Sequence, residues 1–138
     1  MTSLIGNAPV DGVDVAALLG IPISAEQERA VQAPLKPCAV IAGAGTGKTT
    51  VMAARVVWLV ASRLVSPEEI LGLTFTNKAT AELSERIESN LTRVGLLTSE
   101  QPRPTVATYD SFAGTLVNDY GAWDGINTGA HLITAARA

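Results

Sequence analysis

Eight consecutive residues carry most of the chemistry open to this chain: Ala42 to Thr49 read A-G-A-G-T-G-K-T. Alternating glycines let a loop curl until successive backbone N–H groups face one anion, and a helix starting at its far end adds a partial positive charge. Lys48 would reach the β- and γ-phosphates of a nucleotide, and the Thr49 hydroxyl would complete a Mg²⁺ shell. Such a loop needs a strand before it and a helix after it. The apolar run Cys38 to Ala42 and the helical pattern that begins at Lys48 supply both. The common pattern opens with glycine where this chain has Ala42, and a glycine-rich loop without a ligand is the alternative reading.

The rest of the sequence alternates strand-like and helical segments. Residues Met1 to Asp11 show no period, and Val13 to Leu19 forms a short helical pattern ended by Gly20. Ser24 and Gln27 have capping-box spacing, and with Pro34 beyond Gln32 they predict a helix over Ala25 to Gln32. Cys38 to Ala42 reads as the first strand, and Lys48 to about Leu64 as a helix with Met52, Val56, Leu59 and Val60 on one face. Ser66-Pro67-Glu68-Glu69 is a second capping box before a strand over Ile70 to Phe75. A helix follows from about Lys78 to Val94, with Ala79, Leu83, Ile87 and Leu91 inward and Glu82, Glu85, Arg86 and Glu88 outward. Thr105 to Thr108 is a third strand, leading into a helix over Ser111 to Tyr120 that Asp110 is placed to cap. Three strand-then-helix units make an α/β fold: a parallel sheet with flanking helices, and ligands at the carboxyl ends of its strands.

Composition narrows the class. A chain of 138 residues, 47% hydrophobic, builds one domain and its core, not two of ordinary size. Its net charge of −3 gives no whole-chain basic field, so any polyanion must be met locally. The single cysteine, Cys38, excludes an internal disulfide; its place in an apolar run predicts a buried packing role and a reducing compartment. The acids Asp11 and Asp14 stand where a secretory signal would carry a basic patch. Val51 to Leu64 is too short and too interrupted by Arg55 and Arg63 to span a bilayer. The expectation is a cytoplasmic protein with no membrane partner. His131 reads as a surface residue, Trp58 and Trp123 as packing residues.

From Ile23 to Tyr120 the chain resembles the first motor domain of UvrD/Rep-type superfamily 1 DNA helicases, and within them the actinobacterial AdnA/AdnB-like helicase-nuclease subunits. Ser24 to Val31 resembles the Q motif, Ala42 to Thr49 motif I, Leu73-Thr74-Phe75-Thr76-Asn77-Lys78-Ala79 motif Ia, and Thr108-Tyr109-Asp110-Ser111-Phe112 motif Ib. The resemblance implies an incomplete RecA-like P-loop NTPase fold, with a lead over 1–22 and an ATP-binding domain segment over 23–138. It implies ATP and Mg²⁺ as cofactors, and a nucleotide site made of Gln27, Ala42, Gly43, Ala44, Gly45, Thr46, Gly47, Lys48, Thr49 and Thr50. Gln27 would read the adenine edge; a cap alone is its other role. Phe75, Thr76, Asn77, Lys78, Tyr109 and Ser111 would meet single-stranded DNA, with a core role open to Phe75 and a cap to Asn77. Asp110, where many relatives have histidine, stays outside this set, since a carboxylate repels phosphate.

Hydrolysis also needs a carboxylate for Mg²⁺, a glutamate to orient water and arginines on the γ-phosphate. No apolar run after Thr49 ends in Asp-Glu. The expectation is therefore a truncated helicase piece, inactive alone; the resemblance implies 3′-to-5′ polarity, with the remaining helicase domains or a helicase-nuclease subunit as partners. A non-catalytic nucleotide-binding module is the alternative, and a small-molecule kinase, lacking clustered arginines for a lid, is a weaker one.

Overall fold

The computed structural model describes residues 12–45 and 47–126. The expectations for Met1 to Asp11, Thr46, His131 and the segment after Asn127 lie outside the described residues. Helix α1, Val15–Leu19, is short and starts at Asp14, whose carboxylate accepts the Ala17 N–H at 3.0 Å. Helix α2 is Ala25–Val31, and α3 is Lys48–Ala61. A 3₁₀ turn, Pro67–Glu69, precedes strand β1, Leu71–Thr74. Helix α4, Asn77–Arg93, strand β2, Thr105–Thr108, and helix α5, Tyr109–Tyr120, complete the order, with a final 3₁₀ turn at Gly121–Asp124.

The two strands pair in parallel, with Leu71 opposite Thr105 and Thr74 opposite Thr108. Parallel neighbours need a crossover, and α4 provides it. Its Leu83, Ile87 and Leu91 recur every fourth residue, all three buried, in one apolar cluster with Ala53, Ala54 and Val57 of α3. Leu83 also covers the sheet at Gly72, where a Cβ would sit 3.7 Å from its Cδ2 atom. Val15 and Leu19 of α1 and Val31 of α2 enter the same cluster, and the Arg93 guanidinium donates to the Leu19 carbonyl at 2.7 Å. The segment before Ile23 is thus held to the core by the Val15 and Leu19 side chains and by the Leu19 carbonyl. Arg103 forms an ion pair with Glu88 on the half-exposed side of α4, a surface contact worth little. Among the described residues no helix is long and apolar enough to cross a membrane.

Several expectations change. The sheet has two strands among the described residues, not three: Cys38 to Ala42 is extended but in no ladder, with Cys38 exposed and Ile41 98% exposed. An apolar run becomes a strand only by hydrogen bonding to a neighbour, and β1 and β2 pair with each other instead. Cys38 therefore has no packing role here. Helix α3 stops at Ala61 rather than Leu64, because Arg63 turns left-handed at φ 57° and the Leu64 N–H folds back onto the Leu59 carbonyl. Its buried face is Ala53, Ala54, Val56, Val57 and Leu59, while Met52 is exposed; two adjacent alanines let α4 approach and rotate the face away from Met52. Trp58 packs against the cluster as expected, but Trp123 is exposed, with its ring edge-on to Tyr120 at 6.2 Å and 87°.

Candidate functional site

Helix α2 holds its first turn by reciprocal caps. The Ser24 N–H donates to Gln27 Oε1 at 2.9 Å, and the Gln27 N–H donates to Ser24 Oγ at 3.2 Å. An amide nitrogen does not accept from an N–H, so the cap fixes Oε1 toward Ser24 and Nε2 toward the loop. That end, Nε2, lies 3.2 Å from the point a Cβ on Gly47 would occupy. Capping and facing the loop are therefore performed by one side chain at once.

The loop is shaped by two glycines in left-handed backbone, Gly45 at φ 75° and Gly47 at φ 77°. Gly47 is the N-cap of α3 and offers no side chain to its free N–H groups; the first turn carries no acid. The positive end of a 14-residue helix thus opens onto the loop with no acid in its own first turn. Lys48, the first helical residue, is exposed and donates from Nζ to the Ala42 carbonyl at 3.4 Å, spanning the mouth of the loop. Gln27, Ala42, Gly43 and Lys48 line one pocket of about 600 Å³, with Met52 and Arg55 on its wall. Ala44 and Gly45 form the exposed turn of the loop. Thr49 and Thr50 are half-buried in the first turn of α3, and Thr50 Oγ1 accepts from the Arg86 guanidinium at 2.9 Å.

Ammonium, helix N-terminus and a backbone with no Cβ in the way form a cradle for a polyphosphate. The donor set also fits a magnesium nucleotide. Mg²⁺ keeps several waters and takes substrate phosphate oxygens, so a single protein hydroxyl, that of Thr49, suffices beside them. Among the described residues no group of three or more His, Cys, Asp or Glu could hold a metal without such a ligand. Gly47→Ala is expected to cost about 1–2 kcal/mol for the left-handed backbone, with the Gln27 amide in the way besides. On a domain of this size that lowers the melting midpoint by roughly 5–10 °C, followed by far-ultraviolet circular dichroism. Gly114→Ala, inside α5 with nothing within 4 Å of its Cβ, should raise it instead.

A second constellation sits at the carboxyl ends of the paired strands. Thr74 and Thr108, the last residues in register, are both buried, and the residue after each is aromatic. Phe75 is 89% exposed and stacks on Tyr109, with centroids 5.0 Å apart and planes at 30°. Phe75 is therefore no core residue. Beside Phe75, Thr74 Oγ1 and Thr80 Oγ1 lie 2.6 Å apart and both lie within 3.2 Å of the Thr76 carbonyl, so one hydroxyl donates to the other and the second donates to that carbonyl. Thr76 Oγ1 accepts the Ala79 N–H at 3.1 Å, which makes Thr76, not Asn77, the cap of α4. Asn77 and Lys78 stand exposed at the start of that helix, whose first turn is free of acids. Thr108 likewise caps α5, accepting from the Ser111 N–H at 3.1 Å and donating to Ser111 Oγ at 2.9 Å. This displaces Asp110, the expected cap, into the first turn. The strand's last residue keeps its extended ψ of 155°, so the helix starts one residue before Asp110.

Two arginines went unread in the sequence. Arg55 looked like an interruption of an apolar stretch and Arg86 like an outward charge; Arg86 reaches Thr50 from α4, and Arg55 reaches the carbonyls of Ala30, Val31 and Ala33. A charge within an otherwise apolar helix face was the available signal for Arg55.

The family model for the UvrD/REP helicase N-terminal domain matches residues 23–137. A probable DNA helicase II homolog of Rickettsia conorii is 37% identical over 97 residues, covering 70% of this chain and 14% of that protein. The ATP-dependent DNA helicase UvrD1 of Mycobacterium tuberculosis is 34% identical over 114 residues, 82% of this chain and 14% of its own length. DNA helicase II of Haemophilus influenzae is 43% identical over 81 residues, 59% of this chain and 11% of that protein. The matched part thus spans only 11–14% of these relatives. With most of its length under one family model, the chain belongs to the UvrD/REP helicase N-terminal domain family.

Proposed function

We propose that this chain is the ATP-binding segment of an ATP-dependent 3′-to-5′ DNA helicase or translocase of the UvrD/Rep type, with a RecA-like fold in its whole form. One observation carries the reading: a glycine-shaped cradle capped by Gln27 and Lys48 lies on the same chain as an exposed aromatic stack at the ends of two parallel strands. Gly43, Gly45, Gly47 and Lys48 hold the phosphates, Thr49 holds Mg²⁺, and Gln27 faces the base. The metal, when bound, neutralises phosphate charge. Phe75 and Tyr109 stack on bases, while Thr76, Asn77, Lys78 and Ser111 meet the backbone of a single strand. The partners are the remaining helicase domains or a helicase-nuclease subunit of the AdnA/AdnB kind.

The chain binds without turning over. It contains no Asp-Glu pair, and a water-orienting glutamate with γ-phosphate arginines supplies many orders of magnitude of rate. In a preparation freed of contaminating ATPases, phosphate release with and without single-stranded DNA should be undetectable. Turnover of about 1 s⁻¹ or faster, the range of ordinary enzymes, would show a catalytic acid within the chain. Calorimetric binding of Mg-ATP with no release supports the proposed segment.

A further inference from the structure

We propose that Arg55 is a positioning residue for nucleobase selection: its guanidinium fastens the carboxyl end of α2 to α3 and so holds Gln27 over the loop. The inference rests on the reading of Gln27 as the base-facing residue.

Helix α2 has only seven residues, too few to hold helical form by itself, and its end is weakly bonded: the Gln32 N–H reaches the Glu28 and Ala30 carbonyls, and the Ala33 N–H the Ala30 carbonyl at 3.5 Å. Arg55 adds to these bonds. Its Nη1 donates to the carbonyls of Ala30 at 3.3 Å, Val31 at 2.9 Å and Ala33 at 2.7 Å, and Nη2 donates to Pro34 at 3.4 Å. A cation at a helix carboxyl terminus is also favoured by the helix dipole. Four carbonyls from a turning segment of chain converge on one side chain.

The spacing explains what this fastening does. Lys48 and Arg55 are two turns apart on one face of α3, and Gln27 and Val31 are one turn apart on α2. The helices are therefore docked at two levels. At one, the missing Cβ of Gly47 admits the Gln27 amide; at the other, Arg55 grips the carbonyls around Val31, whose side chain is buried in the core. With the lower grip removed, α2 can pivot about Val31 and carry Gln27 away from the loop. The phosphate cradle, built on Gly45, Gly47 and Lys48, does not depend on that grip. Both Nη1 hydrogens are shared among three carbonyls, so the guanidinium is committed to the backbone and not to phosphate. A lysine offers a point charge without the fork, and would restore the grip only in part.

The test is calorimetry on the full chain with Mg-ATP, Mg-GTP and magnesium tripolyphosphate, comparing the parent with Gln27→Ala, Arg55→Met, Arg55→Lys and the double variant Gln27→Ala/Arg55→Met. Arg55→Met should reduce the ATP-over-GTP preference by roughly three- to tenfold, the scale of one neutral hydrogen bond, and change tripolyphosphate affinity by no more than about twofold, because the guanidinium on the pocket wall is bonded to carbonyls rather than facing the loop. Arg55→Lys should fall between, and the double variant should lose no more preference than Gln27→Ala alone, as coupled residues do. If Arg55→Met loses its helical circular dichroism, Arg55→Lys decides. A parent-like preference in the folded arginine variants, while Gln27→Ala loses it, overturns the inference and spares the base reading. Equal losses for ATP and tripolyphosphate overturn it as well, since they mark collapse of the site. A parent-like preference in Gln27→Ala removes the base reading itself, and the inference with it.

Discussion

Lys48→Ala is expected to lower the affinity for Mg-ATP by roughly ten- to a hundredfold, the scale of a charge-assisted hydrogen bond to a phosphate, with no loss of thermal stability. The side chain is exposed and, among the described residues, holds a long 3.4 Å contact to the Ala42 carbonyl, so the fold does not depend on it. What it does provide is a cation at the mouth of the loop, beside the N-terminus of α3, whose first turn carries no acid. Isothermal calorimetry with ATP and ADP gives the result directly. An unchanged affinity would mean that the nucleotide, if bound at all, sits elsewhere. ATP should lose more than ADP, because the longer phosphate chain brings more charge within reach of the ammonium.

Phe75→Ala should weaken binding of a labelled single-stranded oligonucleotide by about five- to a hundredfold, since stacking on one base contributes roughly 1–3 kcal/mol. Such exposure means the ring contributes almost nothing to the core, so melting should be unchanged while binding falls. Tyr109→Ala should have a smaller effect, as it removes the neighbour that holds the Phe75 ring rather than the more exposed face. Binding of the parent should itself fade at modest salt. The chain carries a net charge of −3 and only Lys78 and the α4 N-terminus offer positive potential in this loop, so few counterions are released. Fluorescence anisotropy across a salt series checks both points. An oligonucleotide affinity untouched by Phe75→Ala at low salt would assign the aromatic pair to a protein contact instead.

The parts of this fold that were legible in the sequence are those decided locally. Ser24 and Gln27 are three residues apart, and the reciprocal bonds they form need nothing beyond that spacing. The alternation of Leu83, Ile87 and Leu91 specified α4 almost to its ends, and β2 occupies the four residues read for it. Where the outcome depends on distant chain, the sequence was silent or misleading. Cys38 to Ala42 has the composition of a strand, but a strand is a relation between two segments, and composition describes one. Asp110 has the chemistry of a cap, yet the extended backbone of Thr108 decides where α5 begins. Arg55 acts on carbonyls 21 to 25 residues away, beyond any local pattern.

The extended run at Val40 and Ile41 gives the phosphate loop an asymmetric support. At its far end the loop is the first turn of α3; at its near end it follows a run that joins no ladder among the described residues. A strand that came to hydrogen bond along Cys38 to Ala42 would order the same residues that a bound nucleotide must order. Whichever arrives second meets chain whose freedom is already lost, so the two events are cooperative with no contact between them. Linkage makes this reciprocal: the factor by which the added strand tightens ATP is the factor by which ATP tightens the strand. ATP affinity would then serve as a gauge of how complete the sheet is, and nucleotide as an effector of assembly as well as a ligand.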